Sequence, residues 1–328
     1  MLTSYLFRGT LALSPRCGSK DVELMKYDMK DQTFGVEVEM NHIARKTAAM
    51  LVAGYFGTNN YRYLGGSYDV WAAYDQLNRE WRFMTDSSIA GSRSQECEMV
   101  TPILTYSDMA DLQEIVRILR KAGAISNPNN GCGVHIHVGA QGQTPKTIRN
   151  LVNIMAAHEG LLISALKLDQ HRLGQYCKPV DPRFLQAINE QKPDTMTGLA
   201  DVWYKSQNCD YGRSGHYNDS RYHMLNLHAT FTKGTIEFRL FQFNNPGRHF
   251  KGGLHAGMLK SYIQLCLALC NKAKEVRFAD PTVQQTDNLK YAMRTWLLRL
   301  GFIGDEFKTA RDILTRNLVG NAAWRRVA

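Results

Sequence analysis

The sequence contains no C-x-x-C pair among its seven cysteines, so neither a zinc knuckle nor a disulfide framework is signalled. A reducing, cytosolic setting follows by default. No apolar run reaches the roughly 18–20 residues that a membrane span needs. The best candidate, Leu254 to Cys270, is interrupted by Lys260, so no membrane partner is expected. Cys266 and Cys270, four apart in that stretch, are expected in the core. Neither a P-loop nor a dinucleotide glycine fingerprint occurs, so a bound nucleotide has to be held by metals and basic side chains. Internal repeats and low-complexity tracts are also missing. The first twenty residues hold no acid while carrying Arg8, Arg16 and Lys20. Arg8 breaks the apolar core of a secretory leader, and residues 1–32 are expected to be a flexible or loosely packed lead-in.

Charge of one sign is in excess: 40 Lys and Arg against 30 Asp and Glu leave a net charge of +10. Such a balance fits nucleic acid, an anionic surface or a polyphosphate ligand. The basic residues are scattered, however, and the densest run, Trp324-Arg325-Arg326, reads as a solvated tail. With 44% hydrophobic and 21% charged residues in 328, the chain suits one large domain, or a domain with helical additions.

Residues 34–40, Phe-Gly-Val-Glu-Val-Glu-Met, alternate with period two, a strand pattern. A helix is expected from about Ile43 to Tyr55, and a loop and hairpin over 59–79. Strands follow over Glu80–Thr85 and Glu96–Leu104. Ser107 or Asp108 is expected to cap a helix to Lys121, with Gly123 as its stop. A turn at 127–131 leads into a strand at 133–139, and a long helix spans about 145–168. Residues 169–219 read as irregular. A hairpin of strands at 221–229 and 234–243 turns around Thr232-Lys233-Gly234, and helices at about 250–272, 284–299 and 305–317 close the chain. Antiparallel-looking strand pairs with helices between them predict an α+β fold.

Three of these strands carry ionisable groups on the face opposite their apolar residues. Residues i and i+2 of a strand point the same way. Glu37 therefore shares a face with Glu39, His135 with His137, and Glu237 with Arg239. One such pair is ordinary wet surface. Three are not, because a wet face normally mixes Thr, Ser, Lys and Gln. Gly35, Gly133 and Gly139 beside them are expected to leave space for a ligand. If these strands are neighbours, converging carboxylates need cations to offset their repulsion. Carboxylates with a minority of imidazole suit Mg²⁺ or Mn²⁺ better than structural zinc, and Mg²⁺ points to phosphate chemistry. Glu96 and Glu98, just after Asp86 and Ser88, offer a further carboxylate pair.

Together these segments resemble the amidoligases of the glutamine-synthetase-like and glutamate–cysteine-ligase-like carboxylate–amine ligase superfamily. Phe34-Gly-Val-Glu-Val-Glu39 is similar to the opening strand. Trp81-Arg-Phe-Met-Thr-Asp86-Ser-Ser88 and Glu98-Met-Val-Thr-Pro102-Ile-Leu are similar to the second and third strands. Gly131-Cys-Gly-Val-His135-Ile-His137-Val resembles the histidine strand, and Tyr222, Asn226 and Gly234-Thr-Ile-Glu237-Phe-Arg239 the last catalytic hairpin. The resemblance covers about residues 33–270. It implies a catalytic domain over 33–272, with the helices of 273–328 packed on it, and an antiparallel sheet curved into a half-barrel.

The resemblance also implies an ATP- and Mg²⁺-dependent ligase that joins a carboxylate substrate to an amine substrate through an acyl phosphate. The substrate is an amino acid, a peptide or a protein tail. Glu37, Glu39, Glu98, His135 and Glu237 would be metal ligands, with Mn²⁺ as an alternative ion. Glu37, Asp86 and Arg239 would form the catalytic set, Arg239 binding the transferring phosphoryl group or the activated carboxylate and Asp86 holding or deprotonating the amine. Glu39, His137, Ser88 and Asn226 would contact the nucleotide or orient the site, His137 at an ATP phosphate. His223 and His228 receive no role. Two other readings stand beside this one. A metal-dependent hydrolase could use His135 and His137 as a zinc pair, although no following Asp-His and no second histidine cluster occur. A basic nucleic-acid-binding module would explain the charge but not the glutamates on strand faces.

Overall fold

Period-two alternation puts Phe34, Val36, Val38 and Met40 of strand β1 (Phe34–Met40) on one buried face. Each such side chain contributes about 1.5–3 kcal/mol by leaving water, enough to anchor a strand whose other face is charged. The computed structural model describes residues 28–215, 217–243 and 253–324. Seven further strands join β1 in the sheet: β2 (Tyr61–Gly65), β3 (Val70–Tyr74), β4 (Glu80–Met84), β5 (Cys97–Val100), β6 (Val134–Gly139), β7 (Leu225–Asn226) and β8 (Thr235–Phe241). They form one 8-stranded sheet in the order β2-β3-β4-β5-β1-β6-β8-β7, antiparallel at every pairing. The α+β class expected from the pattern is the one observed.

Helices cover the apolar face. The first, α1 (Arg45–Tyr55), packs on β3 and β4 through Ala48, Ala49, Val52 and Ala53. The amphipathic α2 (Met109–Lys121) contacts α1 and α8 (Ala256–Glu275), and α8 also reaches β6 and α3 (Pro145–Leu166). Trp81, Phe83, Met99, Val134, Ile136 and Phe238 join these helices in one hydrophobic core. Cys266 and Cys270 are buried in it, and none of the cysteines described is in a disulfide. The last helices, α9 (Leu289–Arg299) and α10 (Lys308–Thr315), pack through α10 on α3 and α8. Among the described residues, no helix is long and apolar enough to cross a membrane.

Several local expectations are corrected. Residues 169–219 are largely helical: α4 (Gln170–Gln175), α5 (Pro182–Gln191) and α6 (Met196–Ser206) each begin at a side-chain cap, Asp169, Asp181 and Thr195. Pro182 starts a helix instead of breaking one, because the first helical residue has no amide bond to lose. The strand expected over 221–229 shrinks to β7, followed by the single-turn helix α7 (His228–Thr232), so the link to β8 is helical. Asp108 stands at the N-cap of α2 as expected, but its side chain makes no cap bond there and instead closes a capping box with Thr105, which opens the preceding turn Tyr106–Asp108. At the other end of the chain, Met29–Asp31 form a capped turn with Met29 buried, and Gln32 donates to the Leu267 carbonyl (2.9 Å). The rest of the lead-in, with Arg8, Arg16 and Lys20, lies outside the described residues, as do Arg325 and Arg326.

Candidate active site

Pairing makes the three charged strands neighbours. Glu37 lies opposite His135, Glu39 opposite Glu98, and His137 opposite Glu237. Directly opposed residues of antiparallel strands present their side chains to the same face. The face opposite the core therefore gathers Glu98 from β5, Glu37 and Glu39 from β1, His135 and His137 from β6, and Glu237 with Arg239 from β8. Glu96 does not join them, because it precedes β5 in the loop where its carbonyl accepts from Arg45.

Two overlapping ligand sets result. Glu37, His135 and Glu237 place one ligand atom each within 4.8 Å of one another, and so do Glu39, Glu98 and His135. His135 Nδ1 is 3.0 Å from Glu37 Oε2, and its Nε2 is 3.9 Å from Glu39 Oε1. A neutral imidazole donating from Nδ1 keeps its Nε2 lone pair for a cation. His137 Nε2 lies 3.2 Å from Glu37 Oε1 and its Nδ1 2.9 Å from Thr235 Oγ1. Of the two histidines, only His135 belongs to these sets.

The electrostatics separate the carboxylates. Burial alone would raise Glu37, but His137 and His135 outweigh it and hold the group well below the usual carboxylate range. Glu237 is likewise brought down to about 2, against the effect of burial, by His137 and Arg239. Its carboxylate accepts from Arg239 Nη1 (2.5 Å) and Asn226 Nδ2 (2.7 Å). His137 is raised in turn because Glu237 and Glu37 outweigh its desolvation. Glu98 goes the other way: burial first, then Glu37, Glu39 and Asp86, push it well above the usual range. Among the described residues, nothing hydrogen-bonds or ion-pairs with the Glu98 carboxylate.

That orphaned, buried acid is the test of fit for a cation. Oxygen donors from Glu39 and Glu98 with one imidazole match the ligand preference of Mg²⁺ and Mn²⁺, and a divalent ion would offset the repulsion. On the flank beside Glu237, Lys233 Nζ stands 3.9 Å from Glu37 Oε1. A cavity of about 210 Å³ there is lined by Arg221, Asn226, His228 and Lys233. On the other flank, a cavity of about 240 Å³ is lined by Glu37, Glu39, Asp86, Ser88, Glu98 and His135, with Arg172, Arg239 and several tyrosines around them. Asp86 and Ser88 stand at its edge, in a turn where Asp86 Oδ1 accepts from the Ser88 amide (2.7 Å). Asn226 is buried beside the cavity that Lys233 lines, and its Oδ1 accepts from the His228 amide (2.9 Å).

Two glycines do a different job from the one expected. A Cβ on Gly133 would stand 2.2 Å from Arg172 Nη2, so the space above this strand is filled by a guanidinium. A Cβ on Gly139 would meet Thr33 Oγ1 at 2.7 Å, so the space there is filled as well. Arg172, Arg221 and Lys233 are site residues that the motifs did not indicate. Gly133 was the available signal for Arg172, since glycine inside a strand marks close approach. His228 is held between the Tyr204 hydroxyl (2.6 Å) and the Gly215 carbonyl (2.9 Å), and His223 against the Pro179 carbonyl (2.7 Å), so both hold loops in place.

An antiparallel sheet whose polar face gathers carboxylates, imidazoles and arginines in one cleft defines an α+β protein with an acidic, ligand-sized site. The particular family is that of the putative amidoligase enzymes, whose sequence model matches residues 30–270, and the chain belongs to it. Membership implies a ligase that forms amide bonds. No curated protein matches the chain.

Proposed function

We propose that this ligase is dependent on ATP and Mg²⁺ and joins a carboxylate to an amine through an acyl phosphate. The carboxylate oxygen attacks the γ-phosphorus and ADP leaves; the amine nitrogen then attacks the acyl carbon and inorganic phosphate leaves. The observation that carries the reading is Glu98, buried opposite Glu39 and beside His135 with no hydrogen-bond or ion-pair partner among the described residues. With Glu98 ionised, the repulsion in such an arrangement is offset where a cation completes it.

Glu39, Glu98 and the free Nε2 of His135 would hold one ion, and Glu37 with Glu237 would hold another. Mg²⁺ supplies charge neutralisation for phosphoryl transfer, with Mn²⁺ as a substitute. His137 and Lys233 face the phosphates from the Glu237 flank, while Asn226 fixes the Glu237 carboxylate. Arg239 stabilises the negative charge that develops between the two flanks. Asp86, with Ser88 beside it, holds the amine and receives its proton at the mouth of the other cavity. A sheet curved as in glutamine synthetase, and a catalytic unit over 33–272, belong to the same reading. The amine and carboxylate come from an amino acid, a peptide or a protein tail.

The test is incubation with ATP, Mg²⁺ and pooled amino acids and peptides, following released phosphate and new amide masses. Mg²⁺-dependent phosphate release with a mass gain equal to a condensation supports the reading. Condensation that proceeds equally well in EDTA refutes it.

A further inference from the structure

Lys260, the charge that interrupts the apolar run Leu254 to Cys270, has no part in the active site. It lines a cavity of about 420 Å³ in the helical layer, between α2, the start of α8 and the turn Asp305–Phe307 before α10. That cavity shares no lining residue with either cavity of the cleft. Arg117 and Arg120, three apart on α2 and so on one face of it, line the same cavity. Glu114 pairs with Arg117 (2.9 Å), whereas Lys260 has no ion-pair or hydrogen-bond partner among the described residues. His255 adds a donor. Its Nδ1 accepts from the Met258 amide (3.3 Å), which leaves the proton of the neutral ring on Nε2. Burial, then Arg120, Arg316 and Arg117, hold the ring below the ordinary histidine range, so it is neutral at about pH 7.

The floor has the opposite character. Gln264 is 1% exposed and donates from Nε2 to the Tyr106 hydroxyl (2.7 Å), which donates in turn to Glu306 Oε1 (2.6 Å). An ionised carboxylate only accepts, so the direction of this chain is fixed and the Gln264 carbonyl oxygen is left over. That residue lines the cavity, and among the described residues nothing donates to its Oε1. A buried acceptor without a donor is costly unless a ligand supplies one. Glu306, the one acid among the described lining residues, is held at its other oxygen by Lys30 (2.8 Å).

We infer that this cavity is a second ligand site, for a small phosphate monoester that carries hydroxyl groups. The phosphoryl oxygens meet Arg117, Arg120 and Lys260, and a hydroxyl donates to Gln264 Oε1. Three cations from two helices suit a tetrahedral dianion better than a planar carboxylate, which one guanidinium fork satisfies. The floor calls for a donor, which a bare alkyl phosphate lacks. A volume of about 420 Å³ is ligand-sized, and inorganic phosphate alone would leave most of it unfilled. A nucleic-acid backbone fits less well, because Glu114 and Glu306 flank the cations and interrupt the continuous positive track that a polyanion follows.

The experiment is calorimetric titration of the full chain in EDTA, which keeps metal-dependent phosphate binding in the cleft silent. The probes are glycerol phosphate, ribose phosphate and glucose phosphate, each against its parent alcohol or sugar, with propyl phosphate and inorganic phosphate beside them. At least one ester should bind about tenfold or more tighter than its parent and than inorganic phosphate, the scale of one charge-assisted contact. Propyl phosphate should gain nothing over inorganic phosphate. Lys260→Gln should weaken the ester about tenfold, and Lys260→Arg should keep most of the affinity. Gln264→Leu should erase the advantage of the ester over propyl phosphate and leave propyl phosphate within about twofold. Should Gln264→Leu fail to fold, the comparison of ester with propyl phosphate on the native chain carries that half of the test. Esters that bind no better than their parents, or no better than propyl phosphate, would overturn the inference. So would ester affinity unchanged in Lys260→Gln, which would put the ligand elsewhere. A short single-stranded RNA that bound through Lys260 more tightly than every ester would make this a nucleic-acid surface and overturn it too.

Discussion

Replacing Glu98 with glutamine should stabilise the metal-free protein while abolishing its response to Mg²⁺. Glu98 is buried directly opposite Glu39, and the ligand atoms of Glu39, Glu98 and His135 lie within 4.8 Å of one another. Two unit charges at that distance repel by about 3.5 kcal/mol at an effective dielectric constant of about 20. Arg239 and the histidines return part of this, so a net gain on the order of 1–3 kcal/mol is expected for Glu98→Gln when the acid is ionised. The sign follows from linkage. A carboxyl raised in the folded state keeps its proton longer folded than unfolded, so its favourable contribution is complete below about pH 4.3 and is lost as pH rises through the raised value. The gain from Glu98→Gln should therefore be largest at about pH 8 and vanish near pH 4. In a chain of this size it corresponds to a melting point raised by roughly 1–5 °C. The assay is thermal unfolding in EDTA and in millimolar Mg²⁺, across that range. The native chain should gain stability from Mg²⁺, and Glu98→Gln should start higher and gain little. A mutant that melts lower than the native chain in EDTA would show that Glu98 serves a structural bond, and would refute the reasoning.

ATP should bind only with Mg²⁺ or Mn²⁺, because Glu37, Glu39, Glu98 and Glu237 otherwise face the phosphates unneutralised; calorimetry with equal affinity in EDTA would contradict this. His135 belongs to both ligand sets and His137 to neither. Removing His135 should raise the metal concentration needed for activity, whereas removing His137 should raise the ATP requirement or slow phosphoryl transfer. Metal analysis that finds one tight zinc per chain, lost in both mutants, would favour a hydrolase instead. Away from the site, burial lifts Glu159 to about 7, its carboxylate accepting, among the described residues, only from the Val180 amide (2.8 Å). Its contribution to stability is complete below about pH 4.3 and is lost as pH rises through about 7, so Glu159→Gln should gain on the order of 2–3 kcal/mol at about pH 8 and little at pH 4. Urea unfolding at the two pH values checks it, and an equal effect at both would count against the assignment.

Alternation alone placed Glu37 with Glu39, His135 with His137, and Glu237 with Arg239, because side chains two apart on a strand must share a face. The short-range parts of the fold were equally legible: β1 has the bounds its pattern predicted, and the hairpin over 59–79 formed as β2 and β3. Caps at Asp169, Asp181 and Thr195 were present in the sequence too, but prolines and glycines between them masked three short helices whose hold comes from packing. Adjacency was decided elsewhere. Nothing local to β1 makes β5 and β6 its neighbours, and without that order Glu98 would not face Glu39, nor Glu37 meet His135. Arg172 is the clearest case. It sits on a six-residue helix with no motif around it, and only the tertiary fold lays its guanidinium on Gly133. Period and capping are properties of neighbours along the chain, so sequence determined them. The cleft is a property of neighbours in space, and those were chosen by the burial of one apolar face against the helices.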